Sequence, residues 1–275
     1  MTASKWITVR VRNILDRDRI IAKLFDLGAE GVEEQDDAVI THLRNPDRDK
    51  VGQSVRLADS NAVVDFSDTP ATDWSTEWRR RLRAHQVGRL VVTPPWLAGD
   101  YAESDRVVID PGMAFGTGDH ETTRGILRLM ERAIRRGDVV ADLGAGSAVL
   151  SIAAVKLGAR AAVAIEIDPD AIGNAEANVA ANGVSDRVSV LHGDALTLLP
   201  LVAPVRVVVA NIVSSVLIAM LPIIATALTA DGQAILGGVL LEERSDVAVA
   251  LAREEWSVIE SDQEGIWWSA IVARR

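Results

Sequence analysis

The sequence predicts an α/β protein in which a doubly wound, mostly parallel sheet follows a small α+β layer. After Asp105, short apolar runs alternate with segments of helical periodicity, the pattern of parallel strands whose crossover helices cover both faces of a sheet. Before residue 66 the strands instead alternate apolar and polar side chains, as a sheet with one wet face requires. Charge changes at the same place: residues 1–100 carry 15 basic and 16 acidic side chains, whereas residues 101–275 carry 14 and 23.

Trp6 to Arg12 sets Ile7, Val9 and Val11 on one face of a strand. Asp16 then offers an N-cap to a helix with the stripe Ile20, Ile21, Leu24 and Phe25, closed by Gly28. Strands at Ala29 to Glu34, Ala38 to Leu43 and near Ala62 to Phe66 complete a βαββ-type layer, so residues 1–66 form a small α+β domain. Residues 67–100, rich in Pro, Trp, Thr and Arg, read as a linker with one short helix, Ser75 to Arg83. Its Arg79, Arg80, Arg81 and Arg83 make a solvated face. Residues 101–275 form the larger domain. A helix at Thr122 to Arg136 is followed by strand Val139 to Leu143, helix Ala148 to Leu157, strand Ala161 to Glu166 and helix Pro169 to Asn182. Strands Val188 to His192, Val205 to Ala210 and Ala234 to Leu236 continue the series. Trp256 to Glu260 and Trp267 to Ala273, with no helix between them, predict an antiparallel hairpin at one edge. Trp74, Trp78, Trp96, Trp256, Trp267 and Trp268 read as packing groups.

A formal charge of −10 excludes a broad cationic surface for nucleic acid, and 48% hydrophobic against 25% charged residues excludes a disordered chain. The absence of cysteine removes disulfides, thiolate catalysis and cysteine-held metals. No metal is called for. Without an apolar signal core at Met1 to Ile7, the chain reads as intracellular and cytoplasmic. Val207 to Ala230 is uncharged over a membrane-spanning length, but Asn211, Ser214, Ser215 and Pro222 interrupt it, and it reads as a buried strand followed by a helix. Oligomeric state stays open, with a monomer as the simplest expectation.

A doubly wound sheet binds ligands beyond the carboxyl ends of its strands, where the strand order reverses. The first strand of the larger domain ends in Asp142-Leu-Gly144-Ala-Gly146-Ser-Ala148, a turn whose glycines allow close backbone approach to a ligand. Val149 stands where a dinucleotide fingerprint needs its third glycine, so a nicotinamide or flavin site is incompletely matched. Glu166 ends the next strand, 22 residues after Gly144, where a carboxylate can accept from both hydroxyls of a ribose. Asp194 ends the third strand, facing the amino edge of an adenine or capping a helix. Asn211 closes the fourth; an amide in so apolar a run needs a polar partner.

These motifs resemble those of class I methyltransferases that use S-adenosylmethionine, a seven-stranded α/β fold. More specifically, Asp110-Pro-Gly-Met-Ala-Phe-Gly-Thr-Gly-Asp-His-Glu-Thr-Thr123 is similar to the Asp-Pro-Gly-x-Ala-Phe-Gly-Thr-Gly-Thr-His-Pro-Thr-Thr signature of the ribosomal protein L11 methyltransferases. The likeness extends through Ala154-Val-Lys-Leu-Gly-Ala159, Ile165-Glu-Ile-Asp-Pro169, Asn178-Val-Ala-Ala-Asn-Gly183, Val209-Ala-Asn-Ile212 and upstream to Asp73, Trp74 and Trp78. It implies an enzyme that methylates amino groups of ribosomal protein L11, with residues 1–66 as the substrate-recognition domain and 101–275 as the catalytic, cofactor-binding domain. Neither a membrane nor direct nucleic-acid contact is implied. Carried over by position, Thr123, Gly144, Glu166 and Asn211 contact S-adenosylmethionine, with Gly146 and Asp194 beside them. The loop Asp110 to Thr123, with Phe115 as an apolar wall and Gly116 next to it, folds over the methionine end. Asn211 is also the expected catalytic group, its side-chain oxygen accepting from the acceptor amine. His120 either hydrogen-bonds neighbouring backbone or acts as a base. Asp119 and Glu121 depart from the signature and place two carboxylates near the cleft; Ala148 replaces a usual glycine, and Ser214-Ser215 a usual Ala-Gly. The competing readings keep the chemistry with another protein lysine or a small amine as acceptor, or make the chain an NAD-dependent oxidoreductase or an inactive cofactor-binding module.

Overall fold

The computed structural model describes residues 6–29, 32–35, 37–68, 82–110 and 118–275. The chain divides into two compact units, Met1–Arg81 and Leu82–Arg275.

In the first unit, β1 (Trp6–Arg12), α1 (Arg17–Asp26), β2 (Val32–Gln35), β3 (Ala38–Arg44), α2 (Arg48–Ala58) and β4 (Val63–Asp68) follow one another along the chain. The strands pair antiparallel in the order β2-β3-β1-β4, the split βαββαβ arrangement. Val9 and Val11 of β1 are fully buried against Ile20 and Leu24 of α1 and Val51 and Val55 of α2. Asp16 caps α1 by accepting from the Arg19 N–H at 3.0 Å. Phe25, expected on the apolar stripe, is exposed. The second helix is absent from the sequence reading because charged residues dominate it. Its signal is the Asp47 cap, which accepts from the N–H groups of Asp49 and Lys50, followed by Val51, Val55 and Ala58 at helical spacing.

The second unit opens with β5 (His85–Val87), β6 (Leu90–Thr93), a 3₁₀ turn (Pro95–Asp100) and β7 (Arg106–Val108), a small sheet with β6 at its centre. Residues 82–100, expected as linker, are thus partly strand: Val87, Leu90, Val91 and Val92 are buried. The expected helix at Ser75 to Arg83, with Trp74 and Trp78, lies almost wholly outside the described residues. Beyond it run α3 (Glu121–Ala133), β8 (Val139–Leu143), α4 (Val149–Leu157), β9 (Ala161–Glu166), α5 (Pro169–Ala181), β10 (Val188–His192), α6 (Ala195–Val202), β11 (Val205–Asn211), α7 (Ser214–Ala227), β12 (Leu228–Leu240), α8 (Arg244–Arg253), β13 (Trp256–Glu264) and β14 (Trp267–Arg274).

These strands form a seven-stranded sheet in the order β10-β9-β8-β11-β12-β14-β13. All neighbours are parallel except those of β14, which runs antiparallel to β12 and β13. Alternate residues of β11 show the double winding. Val207 and Val209 pack into a core with α3, α4 and α5, and Val208 and Ala210 into a second core with α6, α7 and α8. Each such fully buried valine is worth about 1.5–3 kcal/mol against exposure, which is why a central strand carries so unbroken an apolar run. The uncharged stretch from Val207 is divided among β11, α7 and the start of β12, and no helix among the described residues is long and apolar enough to cross a membrane.

Candidate active site

From β8 the chain winds outward through β9 and β10, then returns past β8 to β11, so the strand order reverses between β8 and β11. The carboxyl ends of these strands carry the glycine turn, Glu166, Asp194 and Asn211. In the turn, Gly144, Gly146 and Ala148 have φ of 70°, 52° and 64°. A Cβ on Gly144 would sit 2.7 Å from Ile212 Cγ2, so this position needs glycine for space as well as conformation. The N–H groups of Gly144 and Ala145 donate to the Ile165 carbonyl at 2.9 and 3.1 Å.

Glu166 is only 8% exposed. One carboxylate oxygen accepts from the Gly146 N–H at 2.7 Å and the other from the Asp168 N–H at 2.9 Å. Each oxygen keeps a further lone pair, which suits a diol. Behind the turn Asp142 is fully buried; one oxygen accepts from Ser151 Oγ at 2.7 Å and the other has no hydrogen-bond partner among the described residues. Burial pushes its pKa up to about 6, against hydrogen bonds from Ser151 that lower it, and the nearby Glu166 charge adds to the rise. Asp194 accepts from the Leu196 N–H at 2.9 Å and caps α6, its side chain exposed past the end of β10. Two apolar side chains that the sequence reading passed over stand out beside these carboxylates: Ile167 is 66% and Leu196 46% exposed.

On the other side of the switch point, the Asn211 side-chain nitrogen donates to Thr122 Oγ1 at 3.1 Å and approaches Thr123 Oγ1 at 3.5 Å. His120 fixes the direction of this chain. In the tautomer whose Nδ1 carries no proton, this nitrogen accepts from the Thr122 N–H as the N-cap of α3 and shares its lone pair with the Thr122 hydroxyl across 2.9 Å. Thr122 Oγ1 is then left to accept from Asn211, whose side-chain oxygen makes no hydrogen bond among the described residues. His120 thus makes the neighbouring-backbone hydrogen bond. Its ring also meets Trp267 edge-on at 5.2 Å.

Asn178 and Asn182, quoted in the sequence without a role, hold the chain that leads into the signature loop. Asn182 exchanges two hydrogen bonds with the Val108 backbone, at 2.8 and 2.6 Å. Asn178 accepts from the Asp110 N–H at 2.9 Å and donates to the Ser147 carbonyl of the glycine turn at 3.1 Å. Asp119 does not put an unpaired charge in the cleft: its carboxylate lies 2.9 Å from His85 Nε2 and 3.6 Å from Arg124 Nη1. Phe115 and Gly116 lie outside the described residues.

The strand order, renumbered within the sheet as 3-2-1-4-5-7-6 with its one antiparallel strand, and a carboxylate at the end of its second strand define a class I methyltransferase-like α/β fold. Residues 13–275 match the ribosomal protein L11 methyltransferase (PrmA) family, and the chain belongs to that family. It is 38% identical to the ribosomal protein L11 methyltransferase of Thermus thermophilus over 95% of this chain and 97% of that one. The enzyme of the same name from Pelotomaculum thermopropionicum is 34% identical over 98% and 99%. The crystal structure of a ribosomal protein L11 methylase from Lactobacillus delbrueckii subsp. bulgaricus superposes with a TM-score of 0.64 at 30% identity, covering 70% of this chain and all of that one.

Proposed function

We propose that this chain transfers methyl groups from S-adenosylmethionine to amino groups of ribosomal protein L11, as the names of its relatives say of them, and that it works in the cytoplasm, where a ribosomal substrate is made. The observation that carries the reading is the pairing of two pre-set groups across the switch point: Glu166 fixed by Gly146 and Asp168, and Asn211 fixed by Thr122 and Thr123.

The residues present fit the cofactor. Glu166 would accept from the ribose hydroxyls, Ile167 and Leu196 would flank the adenine, and Asp194 would lie at the adenine edge. Gly144 and Gly146 would let the backbone approach, with Thr123 and the loop residues Phe115 and Gly116 toward the methionine end. The Asp142 oxygen that has no hydrogen-bond partner among the described residues puts negative charge behind the turn, which suits a cationic cofactor. An NAD pyrophosphate fits less well: the Gly146 N–H it would use is committed to Glu166, and two carboxylates would repel it.

When bound, S-adenosylmethionine would supply a methyl group on a sulfonium, which the amine lone pair attacks in line as the C–S bond breaks and the thioether sulfur leaves with the bonding pair. The chain's task is to present that amine neutral and aligned. A free lysine with pKa about 10.4 is neutral in roughly one molecule in 2500 at pH 7, a deficit of about 4.6 kcal/mol. Desolvation in the cleft lowers that cost, and the Asn211 side-chain oxygen accepts from the amine N–H and aims its lone pair. Incubating the protein with S-adenosylmethionine and purified L11, then weighing intact L11, tests the reading. Mass gains in steps of about 14 Da are expected; no gain with cofactor binding intact would transfer the reading to another acceptor.

A further inference from the structure

We infer that Arg124 is a positioning residue for methyl transfer: it ties Asp119 to Glu264 and so fixes the first turn of α3, from which Thr122 and Thr123 hold Asn211. The inference rests on the role proposed above for Asn211.

Arg124, Arg128 and Arg132 follow one another at four-residue intervals along one face of α3. Glu264, Asp262 and Glu260 follow at two-residue intervals along one face of β13. Four helical residues rise about 6 Å and two strand residues about 6.7 Å, so the two rows match step for step. The structure has all three rungs. Arg124 Nε donates to Glu264 at 2.7 Å. Arg128 donates to Asp262 at 2.5 Å and to Glu264 at 2.7 Å, and Arg132 pairs with Glu260. Burial pushes the Glu264 carboxyl up, but hydrogen bonds and charge from Arg124 and Arg128 outweigh it and hold it below the ordinary range.

The rungs are not equivalent. The Arg124 side chain is 20% exposed and that of Arg132 61%, so the rung nearest the site is the least screened by water. Arg124 alone of the three also reaches back across the helix N-terminus, donating to the Asp119 carbonyl and standing 3.6 Å from its carboxylate. It thereby joins the segment entering α3, the helix itself and the edge strand. Apolar burial of Ile126, Leu127 and Met130 holds the helix on the sheet without directing it along its axis, whereas a guanidinium–carboxylate pair is directional. The contact it protects is delicate, since the Thr123–Asn211 distance is already 3.5 Å.

The test compares Arg124→Lys and Glu264→Gln with Arg132→Gln, the distal rung, in the full chain. Methyl transfer to L11, thermal stability and the Asn211 side-chain amide resonance, assigned by its loss in Asn211→Asp, are measured for each. Arg124→Lys and Glu264→Gln are each expected to lower kcat about tenfold, for a displacement of a few tenths of an ångström where 1 Å costs about a hundredfold. The KM for S-adenosylmethionine should stay within about threefold, and the Asn211 amide should shift. Combining the two should cost no more than either alone, since they share one interaction. Arg132→Gln should lose stability without changing kcat or the resonance. Equal kcat losses at both ends of the ladder, following stability, would overturn the inference, as would an unmoved Asn211 amide in Arg124→Lys. If the unsubstituted chain methylates no L11, the acceptor reading fails by itself, and the amide resonance alone decides the role of Arg124.

Discussion

The two sides of the switch point are built from different materials. Glu166 is held by backbone N–H groups of Gly146 and Asp168, whose positions follow from the course of the chain after β8 and β9. Asn211 is held by hydroxyls on α3, a separate element whose placement depends on a charge ladder to the far edge of the sheet. A backbone-held group survives changes in the side chains around it. A side-chain-held group can be re-aimed from a distance, which suits the part of a site that must align a reacting atom.

The sharpest way to break this comparison is Asn211→Ala. Loss of alignment is expected to lower kcat about a hundredfold. Cofactor affinity, measured by titration calorimetry, should weaken less than about tenfold, the worth of one neutral hydrogen bond. Equal losses in both would refute an aligning role. Glu166→Gln should do the reverse. Its amide cannot accept from both Gly146 and Asp168, and the charge that would meet the ribose is gone, so the Kd for S-adenosylmethionine should rise about 10- to 100-fold. Turnover at saturating cofactor should change little; a comparable fall there would mean that Glu166 also shapes the acceptor side.

The same contrast decides what was legible in the sequence. Glycines at positive φ and an acid at a strand end are local signals, so the turn at Gly144 and Gly146 and its neighbour Glu166 could be read from residues alone. The large sheet was legible for a similar reason: parallel strands buried on both faces leave unbroken apolar runs. The partners of Asn211 were not, because Thr122 and Thr123 lie 89 and 88 residues away and only the fold brings them together. Arg124 and Glu264, 140 residues apart, carry no signal of each other until the fold pairs them. Ile167 and Leu196 escaped because one exposed aliphatic residue is unremarkable until the strands set it beside a carboxylate. α2 was missed for a different reason, its short apolar stripe being diluted by Arg48, Asp49, Lys50 and Arg56.

Asp142 sharpens the comparison from the stability side. Its pKa, raised to about 6 by burial, means that the folded chain binds a proton there more tightly than the unfolded chain does. Stability therefore falls as pH rises from about 4 through 6 and stays lower above it. Asp142→Asn removes the titration. The variant should match the parent in thermal melts near pH 4 and exceed it at pH 7.5 by on the order of 2 kcal/mol, while binding S-adenosylmethionine more weakly at pH 7.5. A stability difference independent of pH would sink the account of Asp142 as a buried charge kept for a cationic ligand.

Ala148→Gly is the smallest expected change and the one that separates conformation from packing. Ala148 closes the turn at φ 64°, where an L-residue costs about 1–2 kcal/mol, and glycine would relieve that strain. Its methyl group is also fully buried in the core that includes α4, worth about 0.8 kcal/mol, and glycine gives the unfolded chain about 0.4–1 kcal/mol more freedom. The opposing effects nearly cancel, so denaturant melts should place the variant within about 1 kcal/mol of the parent. Cofactor affinity should be equally unmoved, because the Gly146 N–H that Glu166 needs is already set by Gly146 itself. A large loss of affinity would show that the third position of the turn, and not only the two glycines before it, governs how closely the backbone approaches the ligand.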